Sequence, residues 1–380
     1  MAQLPKKSVL TYLSLLVLGR GVVSADENCD GKTDIVCYYA SWAVYRVNQG
    51  QFTTDKIDPT LCTKIVYSFA GLNIDLQVAS IDNNADITLG GYANFTKLKE
   101  KNACLRTALA VGGWNEGSSK YSIMAYSEES RENFADHVLK FIAYYGFDGL
   151  DLDWEYPTAR GGIAEDKKNF VELLKVVKKK LSPWGYELSI AVALDTDYYD
   201  IATIAANVDY VHVMAYDVTS GESNVTGLLA PLSIIKSKVS VWLENGLPSG
   251  KLILGVPTYA RCFNLLDNEE HGIGAAVDKT TCGGQWTDED GFLSFYEVQE
   301  YLSIGICQGS EISDDSVYAW CSDMWMTYDN EETVASKTKY VLESGLGGIM
   351  VWSIDTDDFL GLHGNKFSLL SSIYRTINEG

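Results

Sequence analysis

Gly146-Phe147-Asp148-Gly149-Leu150-Asp151-Leu152-Asp153-Trp154-Glu155-Tyr156-Pro157 places four carboxylates in a run that otherwise reads as buried β-strand. Side chains alternate across a strand, so Asp151, Asp153 and Glu155 share one face while Leu152 and Trp154 share the other. In a closed barrel the apolar face meets surrounding helices and the acids project inward, toward the C-terminal mouth. Acids two residues apart on one face lie roughly 7 Å from each other. Such crowding disfavours simultaneous ionisation and raises at least one pKa. A carboxylic acid still protonated at neutral pH is what a general acid requires. A salt-bridged structural strand would need cations nearby in sequence, and this run has none. The order of an EF-hand calcium loop is also missing, because Gly149 precedes the acids instead of following them.

Seven further apolar runs accompany this one, at 34–42, 64–72, 106–114, 187–194, 210–218, 252–260 and 347–355. Helical periodicity lies between several of them. Phe134, Val138, Phe141 and Ile142 share a face within 129–145, as do Phe170, Leu173, Leu174 and Val177 within 166–181. Strands alternating with helices predict parallel pairing and an α/β fold. Eight such strands predict a closed (β/α)8 TIM barrel spanning 26–380. The seventh and eighth strands are separated by far more chain than a βα connection needs. That interval, 262–331, is expected to be a small α+β insertion subdomain.

Composition narrows the function classes. The chain has 380 residues, 46% of them hydrophobic and 12% aromatic, with a net charge of −21. Such an acidic surface argues against nucleic acid or an anionic membrane as partner. At the N-terminus, Lys6 and Lys7 precede the apolar run Val9–Leu18, and Val23-Ser24-Ala25 follows. This is the pattern of a secretory signal peptide over 1–25, too short in its apolar part for a membrane span. Its removal takes away three basic residues and no acids, deepening the charge from −21 to −24. Eight cysteines without any Cys-x-x-Cys pair then suggest disulfides in an oxidising, extracellular compartment. Asn94 and Asn224 open sequons for N-glycosylation. The four histidines lack metal-ligand spacing, and His212, between Val211 and Val213, reads as a satisfied core residue. No metal and no cofactor is expected.

The run Asp148-Gly149-Leu150-Asp151-Leu152-Asp153-Trp154-Glu155 resembles the D-x-x-D-x-D-x-E signature of glycoside hydrolase family 18, the chitinases and chitinase-like proteins. The resemblance extends from Asp34 to about Ile377. It is carried by Tyr67-Ser68-Phe69-Ala70-Gly71, Gly112-Gly113-Trp114, Met214-Ala215-Tyr216-Asp217, Tyr259-Ala260-Arg261 and Gly347-Gly348-Ile349-Met350-Val351-Trp352, in that order. It implies a monomeric, secreted enzyme that hydrolyses chitin or chitooligosaccharides with retention, and an insertion subdomain of the animal type. By the resemblance Glu155 is the acid/base, Asp153 holds the substrate acetamide, and Asp151 partners Asp153. No enzyme nucleophile is used: the sugar's own acetamide oxygen attacks, giving an oxazolinium intermediate. Tyr216 is implied to bond the acetamide oxygen and Asp217 to steady the sugar. Trp352 matches the tryptophan flooring the reacting sugar, where aromatic faces suit apolar sugar faces. Tyr38, Phe69, Gly113, Trp114 and Met214 match cleft positions, Trp42 a more distal one, and Arg261 a sugar-side arginine; for the aromatics among them barrel core is the alternative, nearly even for Phe69. Trp325 is placed as a cleft wall. Cys37–Cys62 resembles the family's first bridge. Cys307–Cys321 is expected within the insertion, with Cys29–Cys104 and Cys262–Cys282 the remaining pairs.

Two departures stand out. Many animal chitinases carry a tryptophan soon after M-x-Y-D; here an ungapped alignment gives Glu222, and no aromatic occurs from Val218 to Pro231. The second is that no chitin-binding module is expected after the barrel. The rival reading on the same barrel is a non-catalytic lectin or growth factor of the chitinase-like type. Such proteins typically lose one of the signature acids, which are intact here. Within the enzyme class, cleavage of the chitobiose core of N-glycans is the alternative.

Overall fold

The computed structural model describes residues 29, 33–278 and 282–379; the expected signal peptide, 1–25, lies outside them. Eight parallel strands form the barrel: β1 (Asp34–Ala40), β2 (Lys64–Leu72), β3 (Arg106–Gly112), β4 (Gly149–Asp153), β5 (Glu187–Ala193), β6 (Tyr210–Met214), β7 (Leu252–Pro257) and β8 (Gly348–Trp352). Neighbours in the chain pair in turn, β8 pairs β1, and β1 pairs β2, which closes the ring. The strand holding the acids is shorter than its apolar run suggests, ending at Asp153.

Alternation sorts every strand into two faces. Ile35, Cys37, Tyr39, Leu109, Val111, Leu150 and Leu152 point outward. They join Phe134, Val138, Phe170, Leu174 and Val177 of the helices Glu128–Tyr145 and Asp166–Leu181 in one core. Val36, Tyr38, Val66, Ala108, Ala110, Ile253 and Met350 fill the interior as a separate cluster. The N-terminal end of the barrel is closed by charge. Lys64 and Arg106 both pair with Glu187, Arg106 also with Asp34, and the Lys64 nitrogen lies 4.4 Å from the Tyr210 ring centre. Buried charges cost several kcal/mol unless paired, and this mutual neutralisation lets that end be filled by side chains. Asp148, the first acid of the signature, belongs here too, held by Lys99 at 2.8 Å and by the Thr107 amide and hydroxyl. It is a structural acid, far down the strand from the mouth.

Between β7 and β8 the chain leaves the barrel to build a six-stranded antiparallel sheet, running from Tyr259–Leu265 to Met324–Tyr328. Trp325 is fully buried in it, packed with Phe263 and Tyr318 and donating its indole N–H to the His271 carbonyl at 3.0 Å. It therefore does not wall the cleft: its phase on the strand turns it into the subdomain's own core. Disulfides join Cys37–Cys62, Cys262–Cys282 and Cys307–Cys321, and Cys29 and Cys104 are disulfide-bonded as well. No helix among the described residues is long and apolar enough to cross a membrane. Asn94, on the helix Gly91–Thr96, and Asn224, on the loop after β6, are exposed.

Candidate active site

The acids of β4 project into the barrel at its C-terminal mouth. Asp151 and Asp153 are buried on the strand, and Glu155, just past it, is 8% exposed. Trp154 turns the other way, against Tyr121 and Phe170, with its indole N–H on Ser118 Oγ at 3.0 Å. Two glycines let β3 approach this closely. A Cβ on Gly112 would lie 1.9 Å from the Asp153 carbonyl oxygen, and Gly113, at φ +88°, donates its N–H to that same oxygen at 2.9 Å. Non-proline cis peptides join Ser68–Phe69, Glu155–Tyr156 and Trp352–Ser353.

The three acids sit in graded environments. Burial alone would raise the Asp151 carboxyl, but the facing His212 and the Ser189 and Tyr38 hydroxyls hold it below its ordinary value. Asp151 accepts from Tyr38 Oη and from Ser189 Oγ, each at 2.6 Å, and His212 Nδ1 lies 3.2 Å away. Asp153 has the opposite surroundings: burial, then Glu155, then Asp151 push its pKa well above the carboxylate range. Its Oδ1 is buried without any hydrogen-bond partner, a rare state for a polar atom and one that leaves it free for a ligand. Glu155 is raised to about 7 by burial and, less strongly, by Asp217, against a hydrogen bond from Tyr156 and the charge of Arg160. The surroundings thus favour the ionised form of Asp151 and the protonated forms of Asp153 and Glu155, a separation that marks acid–base sites.

Aromatic rings line one side of the mouth. Phe69 stacks between Trp42 and Trp352, with ring centres 6.1 and 5.7 Å away, and Trp42 is 42% exposed. On another side Trp114 is 55% exposed, and Tyr156 stacks on Tyr198 with centres 5.0 Å apart. Tyr216 follows β6 and lies against Met350, while Met214 packs into the interior cluster. Asp217 takes a left-handed φ of 55° and is gripped by Arg261 through two bonds of 2.8 Å, the fork geometry that fixes a carboxylate's orientation. Of the two places open to Tyr38, cleft surface and barrel core, it takes the core. It is 1% exposed, lies 5.6 Å below Trp352, and spends its hydroxyl on Asp151. Glu222 is exposed on the loop after β6.

His212 is buried, as its place between Val211 and Val213 predicts, but only half satisfied. An ionised Asp151 only accepts, so the single Tyr38 proton points to Asp151. The 2.7 Å contact between Tyr38 Oη and His212 Nδ1 must then be made by an Nδ1–H donor. His212 Nε2 is buried with no partner. Applying to β6 the same alternation that placed the acids would have turned His212 inward. Replacing it with Asn should therefore weaken the hold on the Asp151 charge and raise that group's proton affinity. The acid limb of the pH–rate profile should move to higher pH, which a kcat/KM titration of wild type and variant measures. An unmoved acid limb would show that His212 only fills space.

A closed barrel with such graded carboxylates at an aromatic-lined mouth defines a glycoside hydrolase site. The family model for Glycosyl hydrolases family 18 matches residues 34–357, and the chain belongs to that family. It is similar to probable chitinase 2 of Drosophila melanogaster, 36% identical over 359 residues that span 86% of this chain and 72% of that protein. A crystal structure of Ostrinia furnacalis group IV chitinase in complex with allosamidin superposes with a TM-score of 0.88 at 37% identity, covering 92% of this chain and 99% of that one. Human YKL-39, described as a pseudo-chitinase with retained chitooligosaccharide binding, superposes at 0.83 with 27% identity, covering 90% and 99%. Relatives therefore include both an enzyme and a binder.

Proposed function

We propose that this protein is a secreted chitinase that cleaves β-1,4 linkages between N-acetylglucosamine units with retention. The observation that carries the reading is the state of the acids: all three are present, converge at the mouth, and Glu155 is raised to about 7. In the proposed reaction Glu155 gives its proton to the glycosidic oxygen as that bond breaks. The carbonyl oxygen of the −1 acetamide attacks the anomeric carbon from the opposite face, closing an oxazolinium ring. Asp153, whose Oδ1 is unpartnered, accepts the acetamide N–H and orients that group for attack, with the Asp151 carboxylate as its partner on the same strand. Water, deprotonated by Glu155, then opens the ring with net retention. Tyr216 bonds the acetamide oxygen, Asp217 and Arg261 steady the sugar hydroxyls, and Met214 and Gly113 shape the pocket. Trp352 and Phe69 floor the cleft, Trp114 flanks it, and Tyr38 acts from below through Asp151. The disulfides support an extracellular setting.

Incubation with labelled chitin oligosaccharides, followed by chromatography before mutarotation, tests this. Shorter oligomers with new β-anomeric ends are expected. Binding without cleavage would place the protein with the chitin-oligosaccharide-binding lectins instead.

A further inference from the structure

The turn after the acid strand carries a residue that touches both Glu155 and an exposed tryptophan. Thr158, Arg160 and Gly161 all have left-handed φ values of 73°, 50° and 98°, folding the chain back on itself. The turn is pinned to the segment after β3: Ser118 N–H donates to the Arg160 carbonyl at 3.2 Å, and Ser118 Oγ to the Tyr156 carbonyl at 2.9 Å. From this fixed backbone the Arg160 guanidinium carbon sits over the Trp114 ring, 3.4 Å from its centre. Its Nη1 donates to the Trp114 carbonyl at 2.7 Å and to the Glu155 carbonyl at 3.1 Å.

We propose that Arg160 is a positioning residue for the hydrolysis, fixing the Trp114 ring as a sugar platform while holding the Glu155 main chain beside its own positive charge. A tryptophan 55% exposed has two faces available for solvent or ligand. Arg160 takes one by cation–π stacking, which sets the ring's tilt and leaves the other for a sugar. The charge of the same guanidinium opposes the burial that raises Glu155. The other titratable groups facing Glu155 are Asp153 from β4, Asp217 and Tyr216 after β6, and Tyr156 and Tyr199. All are acids or phenols, so Arg160 has no substitute among them.

Two variants separate the two roles. Arg160→Lys keeps the charge and loses the planar stack; KM for chitin hexamer should rise about two- to fivefold, the size of an exposed cation–π contact, with the alkaline limb of kcat unmoved. Arg160→Gln keeps a planar polar group and loses the charge. Its alkaline limb should move to higher pH, because Glu155 then holds its proton more tightly, and the displacement should shrink in high salt. Equal KM and pH profiles in all three proteins would overturn the proposal. So would identical changes in both variants accompanied by a matching fall in Tm, which would make Arg160 a purely structural residue. The inference rests on Glu155 being the acid, and wild-type hydrolysis of the hexamer in the same assay checks that reading separately.

Discussion

Glu155→Gln is expected to lower kcat on chitin oligosaccharides by at least about 100- to 10,000-fold, the contribution of a positioned general acid, while oligomer binding survives. The amide keeps the size and much of the hydrogen bonding of the carboxyl but has no proton to give the departing oxygen. The wild-type pH profile carries the same signature. With Glu155 raised to about 7 by burial, the acid stays protonated below that value and activity should fall as pH rises through it. Residual activity of the Gln variant should show no such alkaline limb. Steady-state rates across pH, with oligomer affinity from calorimetry, read both effects. A variant with kcat within tenfold of wild type would remove Glu155 from the role of acid.

How far the residues announced this arrangement depends on which physical rule governs each one. Strict alternation along β4 was enough to point Asp151 and Asp153 inward and Trp154 outward, and the structure has them so. Eight apolar runs separated by helical faces made the barrel legible, since parallel strands buried on both sides carry little other pattern. The same alternation puts Glu155 on the inward face although β4 ends at Asp153, but its role as the acid is implied by the family resemblance and not by parity. Tyr38 meets Asp151 across 113 residues of chain and His212 across 174. Period alone names an inward face but not which residues meet across it. Trp325 shows the converse failure: its aromatic character suited a cleft wall, and the antiparallel subdomain claimed it for its own core. Arg160 sits in a turn with no period at all, so only its geometry reveals it.

The second large effect concerns the substrate instead of the enzyme. Asp153 is buried and pushed toward its protonated form, first by that burial and then by Glu155, and Asp151 has its oxygens taken by Tyr38, Ser189 and His212. If the acetamide supplies the nucleophile, replacing that group by an amine at the −1 sugar removes the attacking oxygen outright. Intramolecular attack by a well-oriented group is worth an effective molarity of roughly 10⁵–10⁸ M, so cleavage there should fall by several orders of magnitude. The loss should exceed that of any substitution outside the acid cluster. The direct measurement is the cleavage rate of a defined chitin oligomer with a single deacetylated unit bound at −1, against the fully acetylated oligomer under the same conditions. The account predicts that the linkage following the deacetylated unit resists hydrolysis while the other linkages are cut. Equal rates at both would contradict it and require an enzyme carboxylate as the nucleophile.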